Sequence, residues 1–337
     1  MKFSLSSRLT PFLIVLAILS ACKKNDGYIR CEGMVWNTLY HITYEGPEHL
    51  EDSISVVMNR ISSSLSVFDP QSKVSQLNAS DSLAADKMLY DVYNMSVKIN
   101  EVSHGMFDPT LSPLITAWGF GPGHKATADT ARVDSILDFV GLRKTRIENM
   151  VIYKDDPRIC FNFSAIAKGY GCDEVGEMFR RNGVLNYMIE IGGEIALAGK
   201  APSGNDWKIS IDVPDSDNLN HDAFTVVELT DCGIATSGNY RNFRNEGGRL
   251  LAHTISPIDG RPVVTDIISA TVIAPQCMEA DAVATACMAS GLTKSKEMLE
   301  DLQLDALLIL TDSVWCTPGF EKLVIAKASE PENTGRD

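Results

Sequence analysis

A run near the C-terminal end of the chain, MEADAVATA at residues 278–286, sets one carboxylate and one hydroxyl among alanine, valine and methionine. Asp281 and Thr285 are i and i+4, so in a helix their oxygens would lie on one face, one turn apart. A lone buried carboxylate costs several kcal/mol unless it is paired or bound to a metal. A carboxylate plus a hydroxyl suits a hard ion such as Mg²⁺, whereas the helix dipole alone would favour Glu279 and Asp281 in a first turn.

A glycine-rich segment, Ser164–Gly171, follows an apolar stretch that predicts a strand, and itself predicts the start of a helix. The free N–H groups of such a start could hold a phosphate. The segment is neither a Walker A loop nor a dinucleotide fingerprint, because Glu174 stands where the third glycine would be. Close packing of the helix on the strand, with Lys168 in solvent, explains the same glycines.

His253 stands just before a Pro-Ile-Asp-Gly turn signal, at the predicted end of a strand, where a general base could reach a cleft. A structural histidine with satisfied hydrogen bonds is the alternative interpretation. A serine hydrolase built on Ser237, His253 and Asp281 fits poorly. Ala235 and Asn239 occupy the positions that are glycine in a nucleophile elbow.

The elements that must position these residues follow from the spacing of apolar residues. That spacing predicts helices over residues 48–67, 89–102, 165–181, 278–290 and 294–302. It predicts strands over residues 39–44, 187–198, 207–213, 223–229, 233–237 and 306–310, and a hairpin over 147–163 around Asp155-Asp156-Pro157. Runs of strands mix with helices and do not alternate strictly. The order therefore predicts an α+β layered architecture.

The N-terminus has the pattern of a secretory signal: Lys2 and Arg8, an apolar stretch, and then Leu-Ser-Ala-Cys ending at Cys22. This ending resembles a bacterial lipobox, in which the chain is cut before a lipidated cysteine. The apolar stretch is about half the roughly 20 residues that a transmembrane helix needs. We therefore predict a signal peptide at 1–21, a lipidated tether at 22–30, and an extracytoplasmic protein anchored to a bacterial membrane.

The formal net charge is −14, and removal of Lys2 and Arg8 with the signal would take it to −16. Such an acidic chain is a poor binder of nucleic acid, and a polyanionic small ligand would need a metal ion or a local basic group. Of the 8 cysteines, those beyond Cys22 form no C-x-x-C pair, which excludes a zinc ribbon or thioredoxin motif. We expect mostly buried free thiols, with room for one disulfide.

Several motifs occur together in an order that resembles the ApbE family, the FAD:protein FMN transferases, from about Met34 to about Leu310. They are Ser66-Val67-Phe68-Asp69-Pro70, Gly105-Met106-Phe107-Asp108-Pro109-Thr110, Ala165-Ile166-Ala167-Lys168-Gly169-Tyr170, Ile191-Gly192-Gly193-Glu194, Thr236-Ser237-Gly238-Asn239-Tyr240, His253-Thr254-Ile255-Ser256-Pro257, and Met278-Glu279-Ala280-Asp281 with Thr285. The resemblance implies a T-fold-like α+β body of two closely joined lobes over 31–328, followed by a polar tail at 329–337. It also implies FAD in a cleft, with Mg²⁺ on the FAD pyrophosphate.

Enzymes of this family cut FAD and join the FMN phosphate to a Thr or Ser hydroxyl of a partner protein, releasing AMP. Their acceptors are subunits of membrane redox pumps such as the sodium-translocating NADH:quinone reductase and the Rnf complex, which a lipid-anchored enzyme would meet at the membrane. Two alternative functions would use the same site. If water replaced the protein hydroxyl, the chain would be an FAD pyrophosphatase that makes FMN and AMP. If FAD were bound but not cut, the chain would be a flavin-binding lipoprotein.

The resemblance also implies roles for single residues. Asp281 and Thr285 match side-chain ligands of the metal, the main-chain oxygen of Ala165 matches a third ligand, and His253 matches the histidine that activates the acceptor hydroxyl. Flavin and adenine contacts fall on Trp36, Phe68, Met106, Phe107, Asp108, Asn162, Lys168 and Ile255.

Two positions depart from the family pattern. Trp36 stands where the family usually has methionine, which would change the wall of the flavin pocket. Asn162 stands where the family has aspartate. Since an amide can both donate and accept hydrogen bonds, adenine or ribose recognition would survive that change.

Overall fold

The computed structural model describes residues 27–46, 50–120, 129–214, 222–238, 243–246, 249–252 and 254–327. The predicted signal peptide, the predicted lipid site Cys22, the predicted base His253 and the tail at 329–337 lie outside the described residues. None of the helices in the described part of the chain has the length and apolar character needed to span a bilayer.

The chain folds into helices and strands that alternate irregularly. The helices are α1 (Glu51–Leu65), α2 (Lys73–Asn78), α3 (Lys87–Val102), α4 (Ser112–Ala117), α5 (Thr130–Leu137), α6 (Ala167–Arg181), α7 (Cys277–Leu302) and α8 (Pro318–Leu323). The strands are β1 (Tyr28–Val35), β2 (Thr38–Glu45), β3 (Ser82–Ala84), β4 (Thr145–Glu148), β5 (Val151–Lys154), β6 (Tyr187–Ile191), β7 (Glu194–Ala198), β8 (Trp207–Asp212), β9 (Ala223–Leu229), β10 (Gly233–Gly238), β11 (Phe243–Glu246), β12 (Arg249–Ala252), β13 (Ile267–Ala274), β14 (Asp305–Leu310), β15 (Val314–Cys316) and β16 (Val324–Lys327).

An 8-stranded sheet in the order β1-β2-β6-β7-β10-β13-β14-β15 forms the centre of the molecule. Each neighbouring pair in it is antiparallel. One face carries α1, α3, α6 and α7, whose apolar sides form the largest core with residues such as Ile54, Val92, Val175 and Val283. The architecture is the α+β class that the order of elements predicted.

The other face of this sheet packs against a 3-stranded sheet in the order β16-β9-β8. Alternate residues of β8, Trp207, Ile209 and Ile211, point into this second core, as expected for a strand with one solvated face. A smaller third core joins α4 and α5 to Ile255. Burial on both faces explains why β13 is apolar along nearly its whole length.

Helix α7 contains a break that divides it as the sequence predicted. Gly291 has φ 73° and ψ 169°, outside the helical region, and it separates the two segments predicted at 278–290 and 294–302. Helix α6 begins at Ala167 rather than Ala165, because residues 164–166 form a turn, and residues 161–163, predicted as the end of a strand, belong to no strand.

Three predictions about strands need correction. The hairpin predicted around Asp155-Asp156-Pro157 instead turns at Asn149 and Met150, which both adopt positive φ and join β4 to β5. The single strand predicted over 187–198 is two strands, because Gly192 and Gly193 both have positive φ and reverse the chain. Strand β1 begins at Tyr28, inside the segment predicted as tether. The seven cysteines among the described residues are all free.

Candidate functional site

A cleft of about 950 Å³ opens where α7, the end of β10 and the segments around residues 105–116 and 160–168 meet. It collects residues that are far apart in sequence. The predicted site residues that line it are Phe68, Met106, Phe107, Asp108, Asn162, Ala165, Lys168, Ile255, Asp281 and Thr285. Thr254, which follows the predicted base in sequence, lines it as well.

Asp281 lies on the wall of this cleft with only 3% of its surface exposed. Its Oδ2 atom accepts a 3.0 Å hydrogen bond from the backbone N–H of Gly169 in the first turn of α6. The acidic residue in the first turn of α7 is Glu279, so the helix dipole does not account for Asp281. Burial raises the pKa of Asp281, while the nearby Lys168 ammonium and the Gly169 N–H oppose that rise.

Asp173, a residue of α6, fixes where α7 begins. Its two carboxylate oxygens accept hydrogen bonds from the N–H groups of Cys277 and Met278, at 2.9 Å and 2.8 Å. These are the first two residues of α7, whose N–H groups have no partner within the helix. Asp173 therefore caps α7 from a neighbouring helix. By fixing where α7 begins, it fixes the positions of Asp281 and Thr285 on the cleft wall.

Thr285 lies one turn beyond Asp281 and also lines the cleft. Its Oγ1 lies 3.2 Å from Oγ of Ser237, at the end of β10. The sequence indicates Ser237 as a poor candidate for a nucleophile and as a member of the Thr236-Ser237-Gly238-Asn239-Tyr240 motif. In the structure its hydroxyl lies beside the hydroxyl of Thr285 and adds an oxygen to the cleft wall. The position of β10 in the antiparallel sheet brings Ser237 there.

Lys168 and Glu194 form an ion pair at the side of the cleft. Glu194 is 4% exposed, and its Oε2 atom is buried without a hydrogen-bond partner among the described residues. Burial raises the pKa of the Glu194 carboxyl, and Lys168 opposes that rise. Burial disfavours the charge of Lys168, but Asp281 and Glu194 outweigh it and raise the pKa of the ammonium. Glu194 belongs to the Ile191-Gly192-Gly193-Glu194 motif, from which this pairing could not be predicted.

The similarity to known proteins agrees with this geometry. A model of the ApbE family matches residues 36–308, which is most of the chain. The chain belongs to the ApbE family. The FAD:protein FMN transferase of Vibrio cholerae serotype O1 (strain ATCC 39541 / Classical Ogawa 395 / O395) is 32% identical over 311 residues, covering 88% of this chain and 92% of the relative. The FAD:protein FMN transferase of Haemophilus influenzae (strain ATCC 51907 / DSM 11121 / KW20 / Rd) is 31% identical over 333 residues, covering 92% and 95%.

A solved ApbE structure has the same fold. The Pseudomonas stutzeri flavinyl transferase ApbE in its apo form matches with a TM-score of 0.80 at 27% identity, covering 88% of this chain and 96% of that one. Most of the predicted site residues of this ApbE chain thus lie in one cleft of a fold shared along nearly the whole chain.

The oxygens at this ApbE cleft fit a hard divalent cation. Asp281 supplies a carboxylate, Thr285 a hydroxyl and Ala165 a main-chain carbonyl, all on the cleft wall. The Gly169 N–H, which in a longer helix would bond Ala165 O, bonds Asp281 instead, and α6 begins at Ala167. No cluster of three or more His, Cys, Asp or Glu suited to a metal occurs in the part of the chain described. A cation bound here would therefore be held by one carboxylate, one hydroxyl and one main-chain carbonyl.

Asp108 and Asn162 shape the loops beside the cleft. Asp108 accepts hydrogen bonds from the N–H and hydroxyl of Thr110 and from the N–H of Leu142, and burial raises the pKa of its carboxyl despite them. Asn162 Oδ1 accepts from both the N–H and the hydroxyl of Ser164. The amide oxygen thus performs the turn-forming role that a carboxylate oxygen would have there.

Trp36 is the predicted flavin contact that the structure does not bring to the cleft. It has φ +50°, and its indole N–H donates a 2.8 Å hydrogen bond to Ser62 Oγ in α1. A Cβ on Gly171 would lie 2.6 Å from the Trp36 ring, so that ring fills the space above a glycine of α6.

Proposed function

We propose that this ApbE-family chain transfers the FMN moiety of FAD to a Thr or Ser hydroxyl of an acceptor protein, in a Mg²⁺-dependent reaction that releases AMP. Relatives named FAD:protein FMN transferase, over about nine-tenths of the chain, support flavin transfer. The observation that carries the proposal is the wall formed by Asp281, Thr285 and Ala165 in a cleft of about 950 Å³. That combination suits a substrate with a pyrophosphate, whose charge an acidic protein must neutralise locally.

In the proposed reaction one bond forms and one breaks at the FMN phosphorus. The acceptor hydroxyl oxygen bonds to that phosphorus, the bond from it to the bridging oxygen breaks, and AMP leaves with the electron pair. The hydroxyl proton goes to a base. The resemblance assigns that role to His253, which stays a prediction; the neighbouring Thr254 and Ile255 line the cleft and are consistent with it.

Phosphoryl transfer needs positioning and charge neutralisation more than covalent chemistry by the protein. When bound, Mg²⁺ would polarise the pyrophosphate and stabilise the leaving phosphate. Asp281, Thr285 and the Ala165 carbonyl are the groups that would hold it. Lys168 contributes a positive charge at the cleft wall, while Asp108 and Asn162 fix the loops that shape the cleft for the rest of the nucleotide.

We also propose that the chain acts from a membrane surface. The predicted lipid site at Cys22 lies only a few residues before β1, which starts at Tyr28. Lipidation there would hold the cleft-bearing body close to a bilayer on the extracytoplasmic side. The acceptor would then be a subunit of a membrane redox complex of the sodium-translocating NADH:quinone reductase or Rnf type.

The test is to incubate the purified chain with FAD and Mg²⁺, with and without such an acceptor subunit, and to measure both AMP and covalently bound flavin. The proposal predicts AMP in step with covalent flavin, and only when the acceptor is present. Rapid release of FMN and AMP without acceptor would indicate a pyrophosphatase. Intact FAD after long incubation with Mg²⁺ and acceptor would indicate a binding protein without chemistry.

A further inference from the structure

We propose that Glu194 is a positioning residue of the cation site: by holding the Lys168 ammonium, it keeps that charge off the Asp281 carboxylate and leaves Asp281 open to a divalent cation. The inference rests on the proposed function, because it concerns the same Mg²⁺ site. It adds a residue outside the three oxygens that would hold the ion.

Lys168 is placed so that it could reach either carboxylate. It precedes Gly169, whose N–H bonds Asp281, so the backbones of Lys168 and Asp281 are held close together. Yet the ion pair that Lys168 makes is with Glu194 Oε1, and within the described ranges no ion pair joins it to Asp281. Asp281 uses its Oδ2 atom for the backbone of α6, and within the described residues Lys168 acts on its charge through space without forming an ion pair with it.

The structure holds Glu194 firmly in that place. Glu194 is the first residue of β7 and follows Gly192 and Gly193, whose positive φ angles form a tight reversal from β6. Its carbonyl oxygen accepts a 3.2 Å hydrogen bond from the thiol of Cys172 in α6. With its backbone held by the β6–β7 pairing and by Cys172, and with 4% of the residue exposed, Glu194 is fixed at the cleft wall.

Among the residues that the structure describes, Glu194 Oε2 has no hydrogen-bond partner, so Lys168 satisfies only one of the two oxygens of this carboxylate. Buried polar atoms are nearly always hydrogen-bonded, so an exception on a cleft wall indicates a site completed by a ligand. With Glu194, Lys168 and Asp281 together, the local charge is negative and attracts a cation. Without Glu194, the flexible lysine stem would let the ammonium move to Asp281 and form a neutral pair.

Competition between an ammonium and Mg²⁺ for one carboxylate makes the inference testable without FAD. The Mg²⁺ dissociation constant is measured by titration calorimetry on the FAD-free protein, for the wild type, Glu194→Gln, Lys168→Met and the double variant. Glu194→Gln is expected to weaken Mg²⁺ binding by about 10- to 100-fold, the range seen when a residue that orients a metal ligand is changed. The double variant is expected to regain most of that loss, because it removes the competing ammonium.

Lys168→Met alone keeps the inference testable even if Glu194→Gln does not fold. It should bind Mg²⁺ at least as tightly as the wild type, and weaker binding would overturn the proposal. Wild-type affinity in folded Glu194→Gln would overturn it too. A double variant as weak as Glu194→Gln would show that Glu194 itself donates an oxygen to the ion.

The outcomes for the inference and for the proposed function can be told apart. A wild type that binds Mg²⁺ but transfers no FMN would contradict the proposed function and leave the role of Glu194 standing. A wild type that binds no Mg²⁺ would overturn the inference and the metal part of the proposed function together. Unchanged Mg²⁺ affinity in Glu194→Gln, together with FMN transfer by the wild type, would overturn the inference alone.

Discussion

The backbone N–H of Gly169 donates a 3.0 Å hydrogen bond to Oδ2 of Asp281, joining the start of α6 to α7. The approach is so close that a Cβ on Gly169 would lie 2.4 Å from the carbonyl oxygen of Cys277. The same Cβ would lie 2.9 Å from the Cβ of Asp281, so the glycine at 169 is what allows the approach. The glycine thus lets the Asp281 carboxylate reach the start of α6, beside Ala165 and Lys168.

Replacing Gly169 by alanine should force these two helices apart. The added Cβ meets backbone atoms, which cannot move aside like the end of a side chain, so we expect a loss of about 1–3 kcal/mol in the free energy of unfolding. Mg²⁺ affinity should fall with it. Urea unfolding and calorimetry measure the two effects.

Gly176→Ala is a matched control on the same helix. Its Cβ would meet the side chain of Tyr187, 2.8 Å from the hydroxyl oxygen and far from the cleft. We expect this variant to lose stability but keep its Mg²⁺ affinity. Equal effects of both substitutions on Mg²⁺ affinity would contradict the role given to the Gly169 contact.

Asp281→Asn should abolish Mg²⁺-dependent turnover while the chain stays folded. The amide oxygen can still accept from the Gly169 N–H, but the negative charge is gone. We expect turnover to fall by more than about 100-fold, because changes to residues that merely orient a ligand already cost about 10- to 100-fold. Glu279→Gln is the control, since Glu279 pairs with Lys98 rather than facing the cleft. Normal turnover of FAD by Asp281→Asn would show that Asp281 does not bind the metal.

The cap formed by Asp173 should make stability depend on pH. Burial raises the pKa of Asp173 to about 7, although the N–H groups of Met278 and Cys277 oppose the rise. Its pKa in the unfolded chain is about 3.9. The folded state therefore binds the proton more tightly, and the stability from this group is full below the unfolded pKa and is lost as pH rises through 7.

Comparing the wild type with Asp173→Asn isolates this effect, because asparagine does not titrate. The unfolding free energy of the wild type, minus that of the variant, should fall between about pH 4 and pH 7, with a slope of at most about 1.4 kcal/mol per pH unit. Urea unfolding across that range measures it. A difference that stays constant or grows with pH would contradict the raised pKa.

Trp36 should matter for stability and not for flavin binding. Trp36→Phe loses the hydrogen bond to Ser62, which is worth about 0.5–1.5 kcal/mol, and is expected to leave FAD affinity unchanged. Phe68→Ala gives the matched comparison, because Phe68 lines the cleft and is 77% exposed. It should weaken FAD binding with little change in stability. Weaker FAD binding by Trp36→Phe would place its ring at the flavin after all.

The sequence predicted those parts of the site that depend on local spacing. Asp281 and Thr285 share a helix face because of the helical repeat, and the structure keeps them on one wall. The partners that complete the site come from distant segments: Ser237 beside Thr285, Glu194 beside Lys168, and Asp173 at the start of α7. Sheet register and helix packing bring these residues together, and neither can be read from a local pattern.

The errors in the predicted strands have the same origin. Asn149-Met150 turns the chain with positive φ at residues that are not glycine, while the more conspicuous Asp155-Asp156-Pro157 lies beyond the end of β5. Gly192-Gly193 lies inside the segment predicted as one strand, and its positive φ angles, which reverse the chain between β6 and β7, do not follow from the alternation of apolar residues.

The most direct test of the account is mass spectrometry of an acceptor subunit co-expressed with this chain. The account predicts an acceptor whose mass is increased by one FMN, attached at a single Thr or Ser, and an unmodified acceptor when the chain carries His253→Ala or Asp281→Asn. An acceptor that stays unmodified beside the folded wild-type chain, or that is modified equally beside both variants, would contradict it.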